Sequence, residues 1–282
     1  MACGAAPLPR QAIELNARGA EALADGDLEQ ADSALSVALE YSPNFVDALV
    51  NLGLVECQRG NFERARTLLS RARRLNPDVA QPFHALGVLA ERERRPDRAS
   101  EHYWEALRVD PGFAPARENL GRLQFNAGQY DAASLTFKKL IQVAPSAPSG
   151  YALLSEALLR LGRAGEADEL VESARSEFPD DVDLALLDAR AKLRRREFNE
   201  AKALLEPLSE NHDEHGAAAL AWLAASALAQ GEHETALQLA DRALTLVPDE
   251  PVALHVVALA LGAANDPRAA AWAEPHRKLG SR

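Results

Sequence analysis

Residues 46–77 read VDALVNLGLVECQRGNFERARTLLSRARRLNP, which is two amphipathic segments separated by Gly60-Asn61. Apolar residues recur at helical spacing in both segments: Leu49, Leu52 and Val55 in the first, then Ala65, Leu69 and Ala72 in the second. Gly60-Asn61 breaks the first helix, and Asn76-Pro77 ends the second because a residue that precedes proline is disfavoured in the helical region. The stretch therefore predicts two helices joined by a tight turn.

The pattern of this stretch returns with a period of 34 residues. Five prolines follow one another at that interval: Pro43, Pro77, Pro111, Pro145 and Pro179. Pro248 lies 69 residues after Pro179, which is twice 34 plus one. Small residues form a second column: Gly19, Gly53, Gly87, Gly121, Ser155, Ala189 and Ala224. Larger apolar residues form a third, which ends in a small one: Leu35, Leu69, Tyr103, Phe137, Val171, Leu205 and Ala240. One hairpin cannot bury its own apolar face, so the repeat predicts a stack of neighbouring hairpins.

Two units show how closely the chain resembles the tetratricopeptide repeat family. The matching positions are Leu49, Leu52, Gly53, Ala65, Leu69, Ala72 and Pro77 in the second unit, and Phe83, Leu86, Gly87, Ala99, Tyr103, Ala106 and Pro111 in the third. The resemblance implies an all-α fold, a right-handed α-solenoid of stacked antiparallel helix hairpins. It implies seven repeats over residues 12–248, a flexible N-terminal tail at 1–11, and a degenerate eighth repeat with a C-terminal cap at 249–282.

The sixth repeat departs from the pattern. Asp188-Ala189 replaces the Leu-Gly pair, Asp213 stands where proline is expected, and one residue is inserted nearby. We therefore expect a bend or a looser interface around residues 211–216.

Composition excludes several classes of protein. The 282 residues include 31 basic and 42 acidic side chains, a formal charge of −11, which disfavours binding to the phosphates of nucleic acid. The longest nearly uncharged stretches, 217–230 and 251–264, are shorter than the roughly 20 apolar residues of a membrane span, so no transmembrane helix is predicted. The two cysteines, Cys3 and Cys57, cannot form a disulfide framework or a thiolate zinc site.

The resemblance implies that the first helix of each hairpin lines an inner wall that binds partners. Candidate partner-binding residues on this wall are Asn51, Gln58, His84, Arg92, Asn119, Arg122, Asn126, Arg160, Arg190, Arg194 and Trp222. Guanidinium and amide groups suit carboxylates and extended peptide backbone, so the polar part predicts an acidic or extended segment of another protein. The alternative is that the arginines pair with Glu118, Glu156 and other local carboxylates.

The C-terminal end of the wall is apolar instead. Its residues are Leu187, Trp222, Ala225, Val256 and Leu259. This patch suits a partner helix or a second copy of the chain, which would make a homo-oligomer. The alternative is that the chain covers it with its own last helix, predicted from Ala269 to Leu279.

The sequence carries no motif of an enzyme. It has no phosphate-binding glycine loop, no nucleophile elbow and no His-Glu-x-x-His. These observations predict a non-enzymatic scaffold or adaptor that needs no cofactor. The nearest approach to a metal motif is His212-Asp213-Glu214-His215, which a polar loop at the insertion explains equally well.

The N-terminus leaves two expectations for the compartment. It shows no basic region followed by an apolar core, so the chain as written is expected to be cytoplasmic. However, Ala2-Cys3-Gly4 resembles the processed end of a bacterial lipoprotein. That resemblance implies a periplasmic or outer-membrane protein anchored through Cys3, similar to the pilotin-like tetratricopeptide lipoproteins that help secretins assemble.

Overall fold

The computed structural model describes residues 8–263, and within that range the chain forms fifteen α-helices and no strand. The helices are α1 Arg10–Ala24, α2 Leu28–Tyr41, α3 Val46–Gln58, α4 Phe62–Leu75, α5 Gln81–Arg92, α6 Pro96–Val109, α7 Ala114–Asn126, α8 Tyr130–Val143, α9 Pro148–Arg160, α10 Ala164–Glu177, α11 Val182–Arg194, α12 Phe198–Leu208, α13 Glu214–Ala229, α14 His233–Leu246 and α15 Pro251–Ala263. The predicted all-α class is confirmed. None of these helices has both the length and the apolar character that a membrane crossing requires.

Consecutive helices pair as antiparallel hairpins in two compact units. Unit 1, residues 1–145, holds the hairpins α1/α2, α3/α4, α5/α6 and α7/α8. The described part of unit 2, which begins at residue 146, holds α9/α10, α11/α12, α13/α14 and one further helix, α15. The seven hairpins agree with the seven repeats that the spacing predicts.

The tight turns inside the hairpins depend on left-handed backbone. Five of the seven have a glycine there, with φ between 74° and 83°: Gly26, Gly60, Gly128, Gly162 and Gly231. The other two place Arg94 and Arg196 in the same conformation, with φ of 59° and 62°. Side chains other than glycine visit this region at a cost, so the turn geometry is imposed by the flanking helices rather than by the arginines themselves.

The column of small residues is explained by close helix packing. A Cβ added to Gly53 would lie 2.5 Å from Leu69 Cδ2, well inside van der Waals contact. An added Cβ would collide equally with Tyr103 at Gly87 and with Phe137 at Gly121. A large residue of the second helix therefore fills the space that the first helix leaves empty, as the sequence predicts.

The sixth repeat is irregular because its second helix is short. Helix α12 has 11 residues, whereas α10 and α14 have 14 each. Asp213 caps the N-terminus of α13: its side chain accepts a hydrogen bond from the Gly216 backbone N–H at 2.9 Å. A cavity of about 360 Å³ lies between the loop 209–212 and the end of α14. Gly216 packs directly against the Asn211 carbonyl group, which leaves no room for a Cβ. The bend or looser interface at residues 211–216 stays a prediction.

Candidate protein-binding surfaces

The predicted residues of unit 1 all lie on the first helices of their hairpins. Gln58, Arg92, Arg122 and Asn126 are exposed, whereas Asn51, His84 and Asn119 are half-buried. We refer to the surface formed by α3, α5 and α7 as the unit 1 wall.

Polar pairs cross the unit 1 wall from one hairpin to the next. Asn51 Nδ2 donates to Asn16 Oδ1 at 3.0 Å, and Asn119 Nδ2 lies 3.1 Å from His84 Nε2. Both pairs join residues 35 positions apart, one more than the period of 34, so each links neighbouring columns of successive hairpins. The equivalent pair between them is apolar and buried, formed by Val50 and Ala85.

A second-helix residue extends one of these pairs into a network. Tyr103 of α6 is fully buried, and its hydroxyl donates to Glu91 Oε1 at 2.8 Å. The same hydroxyl oxygen accepts from Asn119 Nδ2 at 3.3 Å. Tyr103 reaches this position because Gly87 leaves room for its ring. Sequence reasoning missed both Tyr103 and Glu91; the available signal was a hydroxyl-bearing residue in an otherwise apolar column.

Burial sets the protonation of this network. The His84 ring packs against the rings of Tyr103 and Phe113, with centroids 5.6 and 5.5 Å away. Burial lowers the pKa of His84 to about 4, so the imidazole is neutral at physiological pH. Burial also raises the pKa values of Tyr103 and Glu91. For Glu91, the hydrogen bond with Tyr103 and the positive charges of Arg122 and Arg92 lower the pKa and partly offset this effect.

Several predicted arginines are held by carboxylates. In unit 1, Arg122 Nη2 lies 3.1 Å from Glu118 Oε1. In unit 2, Arg190 pairs with Glu156. Arg194 pairs with Asp168, and Arg160 is exposed at the end of α9. Arg122, Arg190 and Arg194 therefore show the alternative that the sequence left open, in which the arginines pair with local carboxylates.

Unit 2 carries an apolar groove between α13 and α15. Its volume is about 720 Å³, and its lining residues are Trp222, Ala225, Leu228, Ala229, Pro251, Val252, His255, Val256 and Leu259. The Arg190 guanidinium covers one side of Trp222, 5.1 Å from the ring centroid. Leu187, which the sequence placed in this patch, is buried instead and does not line the groove. The segment 269–279 lies outside the described residues.

The polar side chains at the start of α13 form a cluster at the surface. His215 Nε2 lies 3.4 Å from Asp183 Oδ1, and its Nδ1 lies 3.7 Å from Asp213 Oδ2. Within residues 8–263, no three His, Cys, Asp or Glu side chains are grouped as ligands of a metal ion.

Comparisons with known proteins agree with the hairpin architecture. The chain resembles the structure of Pseudomonas aeruginosa PilF (24% identity, TM-score 0.62, 74% of this chain and 95% of that one). It also resembles a tetratricopeptide repeat protein of Parabacteroides merdae (20% identity, TM-score 0.60, 90% and 100%) and YrrB, described as having an unusual peptide-binding site (21% identity, TM-score 0.51, 66% and 96%). At these identities the likeness shows the fold alone.

Sequence comparisons place the chain in a family. A search of curated protein sequences gives no match. Models of the tetratricopeptide repeat match residues 22–87, 90–157 and 186–251, which together make up more than half of the chain. The chain therefore belongs to the tetratricopeptide repeat family.

Proposed function

We propose that this protein is a non-enzymatic adaptor that binds a helical segment of a partner protein in the apolar groove of unit 2. The tetratricopeptide repeat fold supports a role in protein–protein interaction in general. The observation that carries the finer proposal is the groove itself. Its lining is almost entirely apolar, and Leu259 at its edge keeps 50% of its surface exposed. A groove lined by apolar side chains is the kind of surface that accepts the apolar face of an amphipathic helix.

The chemistry of the groove favours a helix over an extended strand. Among the lining side chains, only those of Trp222 and His255 carry hydrogen-bonding groups. An extended segment buried there would leave its backbone N–H and C=O groups without partners, at a cost of several kcal/mol (about 1–3 for each group). A helix satisfies those groups internally and presents apolar side chains at i, i+3 and i+4.

The arginines give less support to an acidic partner. Arg122, Arg190 and Arg194 already pair with carboxylates of their own unit, so a partner carboxylate would have to displace one. The acidic partner therefore stays a prediction. The lipoprotein alternative also stays a prediction, because Cys3 lies outside the described residues.

Site-specific photo-cross-linking tests the proposal. Benzoylphenylalanine is introduced in place of Leu259, and in a matched variant in place of Leu135, which lies on α8 and is 62% exposed. We expect the Leu259 variant to cross-link to one short segment of a partner, with an amphipathic helical pattern. A peptide of that segment should then bind the purified wild-type protein. It should bind the Leu259→Glu variant at least about tenfold more weakly.

Three results would contradict the proposal. Cross-linking to residues 264–282 of the same chain would show that the chain fills its own groove. Cross-linking between two copies would show self-assembly instead. Equal yields at Leu259 and Leu135 would show that any exposed leucine captures protein at this level.

A further inference from the structure

We propose that unit 1 carries a second recognition site, in which the side chains of Asn119 and Glu91 bind a lysine or arginine side chain of a partner. The site lies entirely on the unit 1 wall and does not depend on the groove of unit 2. It would bind a basic side chain, whereas the sequence predicts an acidic partner for this wall.

The first step is the orientation of the Asn119 amide. Its NH₂ group has two hydrogens, and it faces two acceptors, His84 Nε2 at 3.1 Å and the Tyr103 hydroxyl oxygen at 3.3 Å. Both hydrogens are therefore used inside the wall. Asn119 Oδ1 makes no hydrogen bond among the described residues, and the side chain is only half-buried. Asn119 consequently offers an acceptor, and no donor, to an incoming group.

The second step is what prevents the amide from turning over. Tyr103 has one hydroxyl hydrogen and donates it to Glu91 Oε1 at 2.8 Å, so the Tyr103 oxygen can only accept from Asn119. If the amide were reversed, its oxygen would face the lone pairs of that oxygen. The neutral His84 ring is compatible with the observed orientation, because Nε2 accepts when the ring proton is on Nδ1. Tyr103 is thus a positioning residue for Asn119.

The third step is the second acceptor. Glu91 uses Oε1 for Tyr103, and no hydrogen bond or ion pair engages its other oxygen among the described residues. The carboxylate and the Asn119 amide both bond to the Tyr103 hydroxyl, which brings the two groups to the same part of the wall. The proposed ammonium or guanidinium group donates to both. A cation supplies several N–H donors and also neutralises the carboxylate, which a single backbone N–H does not.

Neighbouring charges permit this preference. Arg122 directs Nε and Nη2 at Glu118 Oε1, at 3.2 and 3.1 Å, so its charge is compensated locally. Arg92 follows Glu91 on α5 and is exposed. The charges of Arg122 and Arg92 help to keep Glu91 ionised, but both also repel an incoming cation, so the site binds an isolated cation weakly.

Titration with small probes followed by NMR tests the site. The probes are the N-acetyl, N-methylamide derivatives of lysine and arginine, with those of norleucine and glutamate as neutral and acidic controls. We expect saturable shifts of the Asn119 side-chain amide and the His84 ring with the lysine and arginine probes only. Glu91→Gln keeps an acceptor for Tyr103 but removes the charge, and should weaken binding about tenfold.

Two further variants separate orientation from charge. Tyr103→Phe keeps the Glu91 charge but frees the Asn119 amide to rotate, and should weaken binding about threefold. Glu101→Gln, which removes an exposed carboxylate from the outer face of α6, should leave binding unchanged. Tighter binding of the glutamate probe, or equal binding of lysine to wild type and Glu91→Gln, would overturn the proposal. The cross-linking at Leu259 reports on unit 2 alone, so either proposal can fail while the other stands.

Discussion

Asn119 in unit 1 and Trp222 in unit 2 occupy equivalent positions of their hairpins, yet their surroundings have opposite chemistry. Asn119 belongs to a hydrogen-bonded network with His84 and Tyr103. Trp222 lines a groove with almost no hydrogen-bonding groups. The residues packed inside the hairpins nevertheless follow the same columns in both units. The comparison shows that the columns packed inside the hairpins are shared by both units, whereas the column that holds Asn119 and Trp222 differs in chemistry between them.

Gly87→Ala is the strongest way to disrupt the polar side of this comparison. The added methyl group would overlap the Tyr103 ring, and moving that ring also breaks the bonds to Glu91 and Asn119. We expect the free energy of unfolding to fall by more than about 2 kcal/mol, despite the higher helix propensity of alanine. Urea denaturation measures it. The control is Gly165→Ala on α10, where no atom lies within 4 Å of the added Cβ, and it should be neutral or stabilising.

The pH dependence of stability tests the burial of His84. The pKa of His84 in the fold is about 4, below the ordinary value of 6.5, so the unfolded chain binds the proton first. Stability from this group is therefore complete above about pH 6.5 and is lost as the pH falls toward 4. Between about pH 7.5 and 5.5, wild type should lose about 1.3 kcal/mol more than His84→Gln. Identical profiles for wild type and His84→Gln would show that His84 is not buried.

Tyr103→Phe isolates the hydroxyl group at the centre of the network. The ring stays in place, but Glu91 and one hydrogen of Asn119 lose their partner, so we expect a loss of about 1 kcal/mol in urea denaturation. Tyr130→Phe is a control in the same unit, since its hydroxyl makes no hydrogen bond among the described residues. A loss from Tyr130→Phe as large as that from Tyr103→Phe would mean that the network contributes nothing specific.

The fold could be predicted from local spacing, whereas the sites depend on contacts between hairpins. The contact of Gly53 with Leu69 repeats at a fixed separation within one hairpin, so the column pattern reveals it. The Asn119 and His84 pair joins two hairpins, and its register depends on how one hairpin rotates against the next. Column alignment placed these two residues in separate rows and did not indicate that they meet.

Long charged side chains were the least predictable part. Arg194 pairs with Asp168, which is 26 residues earlier and on the second helix of another hairpin. Spacing along one helix does not identify such a partner, because the guanidinium can reach carboxylates on several neighbouring elements. Leu187 shows the same limit for apolar residues: its column placed it in the apolar patch at the end of the wall, but the side chain is buried and does not line the groove.

Leu259→Gln gives the smallest expected effect and tests the apolar side of the comparison. Leu259 keeps half of its surface exposed, so replacing it should change the free energy of unfolding by less than about 0.5 kcal/mol. Leu261→Gln, two residues further along α15 and buried, should cost at least about 2 kcal/mol and shows that the assay responds to this helix. Because the two substitutions are chemically identical, the difference reports burial alone. If Leu259→Gln cost as much as Leu261→Gln, another part of the same chain would have to cover the groove, and a partner helix would have no place to bind.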